Sequence, residues 1–179
     1  LAQSFMNEGL DPSDRLIIGR ALAQVAGGSA RAFFLKMLQG PSHDIRTAAI
    51  RGLGWCGNPQ DMRILGAALR DPNPNVRGAA VRSLRDTGTP GAATFLGKSL
   101  DQVDEALMLV IAEALSELPD GPQMLIDATD HPDLLVRRAV AQGLGNIDQE
   151  WAEEKLIDMM KRDPEWLVRS AAESAVETR

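Results

Sequence analysis

Two histidines, one cysteine and one short cluster of acids are the residues that could carry covalent or acid–base chemistry here. Their spacing argues against it. His43 and His131 are the only histidines in the 179 residues and stand far apart in the chain. Cys56 is the sole cysteine, with no neighbouring base to activate a thiolate nucleophile. It has no metal-ligand spacing to either histidine and no partner for an internal disulfide. Asp101, Asp104 and Glu105 read as a helix start, where acids face the positive end of the helix dipole. No phosphate-cradling glycine loop, HExxH, GxSxG or calcium-loop pattern is present. The expectation is therefore no catalytic residues, no metal, no cofactor and no enzyme activity.

What does recur is arginine. An aliphatic residue, then Arg, then any residue, two small residues and an apolar position appear at Ile45-Arg46, Val76-Arg77, Val136-Arg137 and Val168-Arg169. Weaker copies centre on Arg15 and on Met108, which replaces the arginine. The anchors at 15, 46, 77, 108, 137 and 169 are spaced by 31, 31, 31, 29 and 32 residues. A near-constant period of this length signals a stacked helical repeat. Asp71 precedes Arg77 by six residues and Asp163 precedes Arg169 by six. This suggests an Arg–Asp pair at each inter-helix turn, a structural ladder of Arg15, Arg46, Asp71, Arg77, Arg137, Asp163 and Arg169 holding neighbouring copies together.

The elements that must position these residues are helices. Apolar residues fall at helical spacing in Val76, Ala79, Ala80, Ser83 and Leu84, and again in Val136, Ala139, Val140, Gly143 and Leu144. Second helices are expected over 13–26, 43–56, 74–87, 104–118, 133–147 and 165–178. First helices are expected over 29–39, 60–70, 91–100, 121–129 and 151–162, with residues 1–8 the remnant of another. Asp11-Pro12, Gly40-Pro41, Asp71-Pro72, His131-Pro132 and Asp163-Pro164 are expected at helix starts. Small residues such as Ala48, Ala49, Ala79, Ala80, Ala171 and Ala172 let helices approach closely. One pair cannot bury its own apolar stripe, so stacked pairs share a continuous core. The fold class is all-α, a right-handed α–α superhelix of about six pairs in one domain, 1–179. The copies run approximately 1–27, 28–58, 59–89, 90–119, 120–149 and 150–179. The chain opens on Leu1 rather than Met and ends at Arg179 in an expected helix, so it reads as a piece of a longer protein.

The chain resembles the HEAT-repeat family, in the short version of about thirty residues found in phycobilisome-lyase-like proteins. Asp71-Pro72 with Asn75-Val76-Arg77-Gly78-Ala79-Ala80 and Leu84 carry the resemblance. Asp163-Pro164 with Leu167-Val168-Arg169-Ser170-Ala171-Ala172, His131-Pro132 with Val136-Arg137, and Ile45-Arg46 with Ala48-Ala49 repeat it. The resemblance implies scaffold or adaptor work in most settings, with bilin lyase or DNA-glycosylase activity in a few.

If 76, 79, 80, 83 and 84 face the core, then 78, 81, 82 and 85 face out. One repeat apart, the position of Arg82 reads Arg20, Arg51, Arg82, Glu113, Gln142 and Ser174, with Arg85 extending it. From Gly40 to Pro90 there are seven Arg and four Asp, whereas Ser99 to Val136 holds nine acids and no Lys or Arg. Trp55 beside this row is expected to be exposed, and Trp151 and Trp166 to pack. The candidate binding residues are thus Arg20, Arg51, Trp55, Arg82, Arg85, Glu113 and Gln142. Of the adjacent Phe33 and Phe34, one is expected in the core.

Composition narrows the partner. Charged residues are 25% and hydrophobic ones 44%, as in ordinary globular proteins, while aromatics are only 4% with no Tyr. The core is expected to be aliphatic, and base-stacking platforms are scarce. With 19 Lys and Arg against 25 Asp and Glu, the net charge is −6, which disfavours nucleic acid. No run reaches the length of a membrane span, and the single cysteine suits a reducing cytoplasm. The leading expectation is a non-catalytic scaffold binding a protein, or another domain of the parent chain. A bilin-handling lyase-like or chaperone subunit and a DNA-binding, alkyl-base-repair-like solenoid are the alternatives.

Overall fold

Short polar side chains open most helices of this chain. Asp11 accepts from the Ser13 N–H at 2.8 Å with Pro12 as the first helical residue, and Asn73 accepts from Asn75 N–H at 2.9 Å with Pro74 in that place. Asp104 and Asp133 cap in the same way, on Leu107 at 3.1 Å and Leu135 at 2.8 Å. The expected role of the dipeptides at 71–72, 131–132 and 163–164 is corrected here. Their prolines lie in the turn before the helix, and the caps are Asn73, Asp133 and Glu165. Asp71 and Asp163 instead brace the turn, each accepting from the N–H two residues on, at 2.8 and 2.9 Å.

The computed structural model describes residues 1–89 and 91–178; Pro90, and the expected helix end at Arg179, lie outside the described residues. Every helix or strand among those residues is helical. Contacts group the chain into two compact units, Leu1–Thr89 and Pro90–Arg179. The first unit holds α1 (Ala2–Phe5), α2 (Pro12–Met37), α3 (His43–Cys56), α4 (Met62–Ala68) and α5 (Pro74–Asp86). The second holds α6 (Ala92–Gly97), α7 (Glu105–Glu117), α8 (Gly121–Asp127), α9 (Leu134–Gly145), α10 (Glu150–Arg162) and α11 (Trp166–Glu177). No helix among the described residues is long and apolar enough to cross a membrane.

In the first unit α2 packs on α3 and α3 on α5, with α4 against α5. In the second, α7, α9 and α11 pack in succession, while α6 meets α8 and α10 meets α9 and α11. The second helices thus form one layer in each unit. Several first helices are shorter than their patterns suggest: α4 and α8 have seven residues and α6 has six. A single 3₁₀ turn at Pro59–Asp61 precedes α4, and another at Leu100–Gln102 follows α6. The two helices expected on either side of residues 27–28 run as one element. It kinks at Gly27, whose φ of 46° and ψ of −120° are open to glycine and strained for other residues.

The close approach of second helices follows from their small residues. A β-carbon on Gly54 would lie 2.7 Å from the Ser83 β-carbon on the next helix. Val76, Ala79, Ala80, Ser83 and Leu84 are all buried, as are Val136, Ala139, Val140, Gly143 and Leu144. The core is aliphatic except where Phe5, Phe33 and Phe34 meet in the first unit, with ring centroids 5.4–5.7 Å apart. Phe34 and Phe5 are fully buried, and Phe33 lies edge-on to Phe5.

Candidate functional site

The anchor arginines open the second helices, so their side chains reach the turns. Arg46 grips the Asp71 carboxylate with two groups, Nε at 3.0 Å and Nη2 at 3.1 Å. Its Nη1 donates to the carbonyls of Gly40 and Pro41 at 3.1 and 2.8 Å. Arg137 repeats the contact: Nε and Nη2 reach Asp163 at 2.7 and 3.1 Å, and Nη1 reaches the carbonyls of His131 and Pro132 at 2.7 and 3.2 Å. Arg77 and Arg169 donate to the backbone carbonyls of Asp71 and Pro72, and of Asp163 and Pro164.

Each aspartate is therefore shared. Its carboxylate serves the arginine one copy upstream, and its carbonyl serves the arginine six residues downstream. The pairing of Asp71 with Arg77 and Asp163 with Arg169, expected from adjacency, is corrected in its carboxylate part. The turn explains why: one carboxylate oxygen is tied to the N–H two residues on, which holds the acid toward the preceding copy. Partial burial alone would raise these carboxyls. The arginine hydrogen bond, the turn N–H and the two flanking guanidinium charges outweigh it and lower both below their ordinary value.

Arg15 is the departure. It is buried, with Nη1 on the Phe5 carbonyl and Nη2 on the carbonyls of Asn7 and Leu10 at 2.9 and 3.2 Å. Its Nε is buried without an acceptor. Gly40 stands where Asp71 and Asp163 stand in later copies, so the first rung has no carboxylate.

The outward positions are fewer than expected. Gly78 and Val81, read as outward, are buried; Arg82 is exposed and Arg85 half-buried. A second helix packs on first helices and on second helices of its own unit, as α3 does between α2 and α5, which leaves a narrow strip facing out. In the first unit that strip carries Arg20, Arg51, Trp55, Arg82, Arg85 and Asp86. Arg20 and Arg82 are exposed. Arg51 donates from Nη2 to Asp86 at 2.7 Å and from Nη1 to Ser83 Oγ at 3.4 Å, and lies 5.0 Å from the Trp55 ring centroid. Arg85 Nε reaches the other Asp86 oxygen at 3.1 Å. Trp55, expected to be exposed, is half-buried between this guanidinium and Gly19. Trp166, expected to pack, is the exposed tryptophan at 65%, because it is the first residue of α11. Trp151 is half-buried and donates to Gln149. In the second unit Glu113, Gln142 and Ser174 are all exposed.

Charge separates the units. Residues 1–89 carry eleven Lys and Arg against seven Asp and Glu, a formal +4; residues 90–179 carry eight against eighteen, a formal −10.

One buried pair escaped the sequence reading. Asp61 is fully buried and accepts three hydrogen bonds from Arg31, at 2.6, 3.0 and 3.1 Å. The hydrogen bond from Asp61 raises the Arg31 pKa. The available signal was the repeat column, where Ala30, Ala92 and Ala152 are buried alanines and Asp61 is a carboxylate. Nearby Cys56 is half-buried, and burial together with the Asp61 charge pushes its thiol up, away from a reactive thiolate. His43 lies 3.1 Å from Asp44, and His131 Nδ1 accepts from the Asp133 N–H at 3.1 Å, so each belongs to its own helix start. No group of His, Cys, Asp and Glu among the described residues could hold a metal ion.

Comparison with known proteins places the repeats. The HEAT repeats family matches residues 32–116 and 109–177. Among solved structures, the complex of CpcE and CpcF of phycocyanin lyase from Nostoc sp. PCC7120 aligns with a TM-score of 0.53 at 22% identity, covering 95% of this chain and 72% of that one. An archaeal HEAT-like repeats protein from Thermococcus onnurineus NA1 aligns with a TM-score of 0.50 at 14% identity, covering 96% and 81%. No curated protein matches.

Proposed function

The chain belongs to the HEAT-repeat family, and from that premise we propose that it is a non-catalytic protein-binding scaffold whose first unit holds an acidic protein segment on its outward strip. The observation that carries this reading is the strip itself. Arg20, Arg51 and Arg82 recur one repeat apart, joined by Arg85, with Asp86 the one acid among them, in a unit of net charge +4. Helix packing sets the spacing of these side chains, so several charges are met without ordering each contact separately. The Arg51–Asp86 bridge and the Trp55 face fix the middle of the strip, and Arg20 and Arg82 are its exposed cations. Such a surface chiefly raises the encounter rate, and salt weakens it.

The non-catalytic part of the reading is supported by where the reactive groups lie. Cys56 is held as a thiol, the histidines serve separate helix starts, and the anchor arginines are engaged with carbonyls and carboxylates.

The test uses a labelled octaglutamate peptide, with octalysine as the control, titrated at low and at moderate salt. The wild-type protein is expected to bind octaglutamate more tightly at low salt. An Arg20→Glu, Arg82→Glu double variant with unchanged helical signal should lose about tenfold in affinity and most of the salt dependence. Equal binding of both peptides, or an unchanged double variant, overturns the reading.

A further inference from the structure

The outward strip of the first unit contains an acid of its own. Asp86 is the last residue of α5 and stands nine residues after the anchor Arg77; the same place holds Gln24 on α2 and Trp55 on α3. Of the unit's other acids, Asp11 caps α2, Asp44 meets His43, Asp61 takes Arg31 and Asp71 takes Arg46, while Glu8 precedes α2 and Asp14 lies in its first turn. The helix does not favour an acid at position 86, which lies at its C-terminal end, where the macrodipole is negative. What holds this carboxylate is arginine. Its Oδ2 accepts from Arg51 Nη2 at 2.7 Å and its Oδ1 from Arg85 Nε at 3.1 Å. One carboxylate thus bridges two guanidinium groups, one oxygen to each.

That arrangement is the one an incoming glutamate would need. Arg51 is placed for it by more than Asp86. Its guanidinium lies 5.0 Å from the Trp55 ring centroid, and its Nη1 donates to Ser83 Oγ at 3.4 Å. Ser83 is fully buried and its Oγ donates to the Ile50 carbonyl at 3.0 Å, so this acceptor is fixed. The Arg51 side chain is 14% exposed and that of Asp86 25%. An acidic segment on the strip therefore finds the Nη2 donor of Arg51 already taken and a like charge beside it, which costs rather than contributes.

We infer that Asp86 is an internal occupant of the strip's central carboxylate subsite, formed by Arg51 and Arg85, and that it confines an acidic partner to Arg20 and Arg82 on either side. Resting on the function proposed above, this makes Asp86 the regulator of that same surface: a residue of the strip holds down the affinity of the strip. Neutralising Asp86 leaves Arg51 on Trp55 and Ser83 with its Nη2 donor open, so a partner's carboxylate takes the place of the internal one. A donor already held in place binds without the cost of ordering a side chain.

Octaglutamate titration at low salt, with octalysine as control, tests this on a cycle of variants. Asp86→Asn should bind octaglutamate about tenfold more tightly than the wild type. Glu8→Gln changes the net charge by the same amount at an exposed residue off the strip, and should tighten binding by no more than about twofold. Arg51→Gln should cost about tenfold in the Asp86→Asn background against about twofold in the wild type, since there the partner reaches Arg51. Asn keeps an oxygen on the arginines, so Asp86→Ala, which empties the subsite, should tighten binding at least as much; it replaces the Asn variant if that one loses its helical signal. A gain no larger than that of Glu8→Gln, a loss of affinity on removing Asp86, or an equal cost of Arg51→Gln in both backgrounds overturns the proposal and leaves Asp86 a clamp between α3 and α5. Those outcomes leave the binding strip itself intact. If the wild type and the Asp86 variants bind octaglutamate and octalysine alike, the strip fails as a binding surface and the subsite fails with it.

Discussion

Arg46–Asp71 in the first unit and Arg137–Asp163 in the second make the same contact, down to Nε on one carboxylate oxygen, Nη2 on the other and Nη1 on two turn carbonyls. Around that shared joint the units diverge. The first has net charge +4, a branched apolar stripe of Ile17 and Val25 on α2 and the buried Arg31–Asp61 pair; the second has net charge −10 and carries exposed Glu173 and Glu177 on α11. Whatever the stack needs is repeated in both, and whatever differs lies on faces the stack leaves over. In the function proposed above, the differing residues are the ones that would choose the partner.

The joints differ in depth, which gives the largest expected effect. The Asp163 side chain is 4% exposed and its arginine 9%, whereas Asp71 and Arg46 are 14% and 16% exposed. Arg137→Ala leaves a nearly buried carboxylate with only the turn N–H and the Arg169 charge for support, and is expected to cost about 3 kcal/mol. Arg46→Ala leaves one that water can reach, so the loss should be about 1 kcal/mol. Urea denaturation of both variants checks this; equal losses would show that burial does not distinguish the two joints.

Acid is the next lever. Both aspartates titrate below their ordinary value of 3.8. A depressed folded-state pKa contributes stability that is fully present above the unfolded value. It is lost as pH falls through 3.8 and on past the folded value, since protonation then favours the unfolded chain. The midpoint of thermal unfolding should therefore drop with acidification through that window. Arg137→Gln removes the guanidinium that depresses Asp163, so its acid limb should be visibly shallower than the wild-type one. Parallel limbs would mean that Asp163 does not govern the acid response.

The repeat itself was legible because its marks are local: an arginine, two small residues and an apolar residue recur within one helix. The joint was only half legible. Its carboxylate arm links residues 25 or 26 apart across two copies, while adjacency suggests a partner six residues away. The outward strip was read too wide, since Gly78 and Val81 look surface-facing on a lone amphipathic helix but are buried in the folded chain. The tryptophans exchanged roles for a similar reason. Trp55 lies within reach of Gly19 on α2 and of Arg51 one turn earlier on its own helix, and Trp166 stands at a helix start ahead of the packed turns.

The missing first rung offers a gain rather than a loss. Arg15 Nε has no acceptor and Gly40 occupies the aspartate column. Gly40→Asp should supply the carboxylate and raise stability by about 1 kcal/mol, as charge-assisted bonds to a buried donor do. The gain is held down by the Met37 carbonyl oxygen, 3.3 Å from where the new β-carbon would sit. The measurement is the denaturation midpoint, with Gly40→Ala as the control for the backbone effect of losing glycine. If Gly40→Asp is no more stable than Gly40→Ala, the unpaired Nε does not define a vacant rung.

The smallest effect expected concerns the outward charges themselves. Glu113 occupies in the second unit the column that Arg20, Arg51 and Arg82 occupy in the first, and it is exposed. If the column's sign decides which unit attracts an acidic segment, Glu113→Arg should tighten octaglutamate binding and Arg51→Gln should weaken it. Both shifts should be slight, about twofold, because one exposed or already bridged charge contributes under about 1 kcal/mol. Arg51 is the more muted of the two, since its bond to Asp86 already offsets part of its field and its removal leaves Asp86 bonded to Arg85. Both shifts should vanish at moderate salt, where charges beyond about 10 Å are screened. Opposite signs at low salt and convergence at moderate salt would tie partner choice to the sign of this column. A tenfold change from Arg51→Gln that survives salt would instead mean that the Arg51–Trp55 stack contacts the partner directly, and the contrast between the units would rest on shape as well as charge.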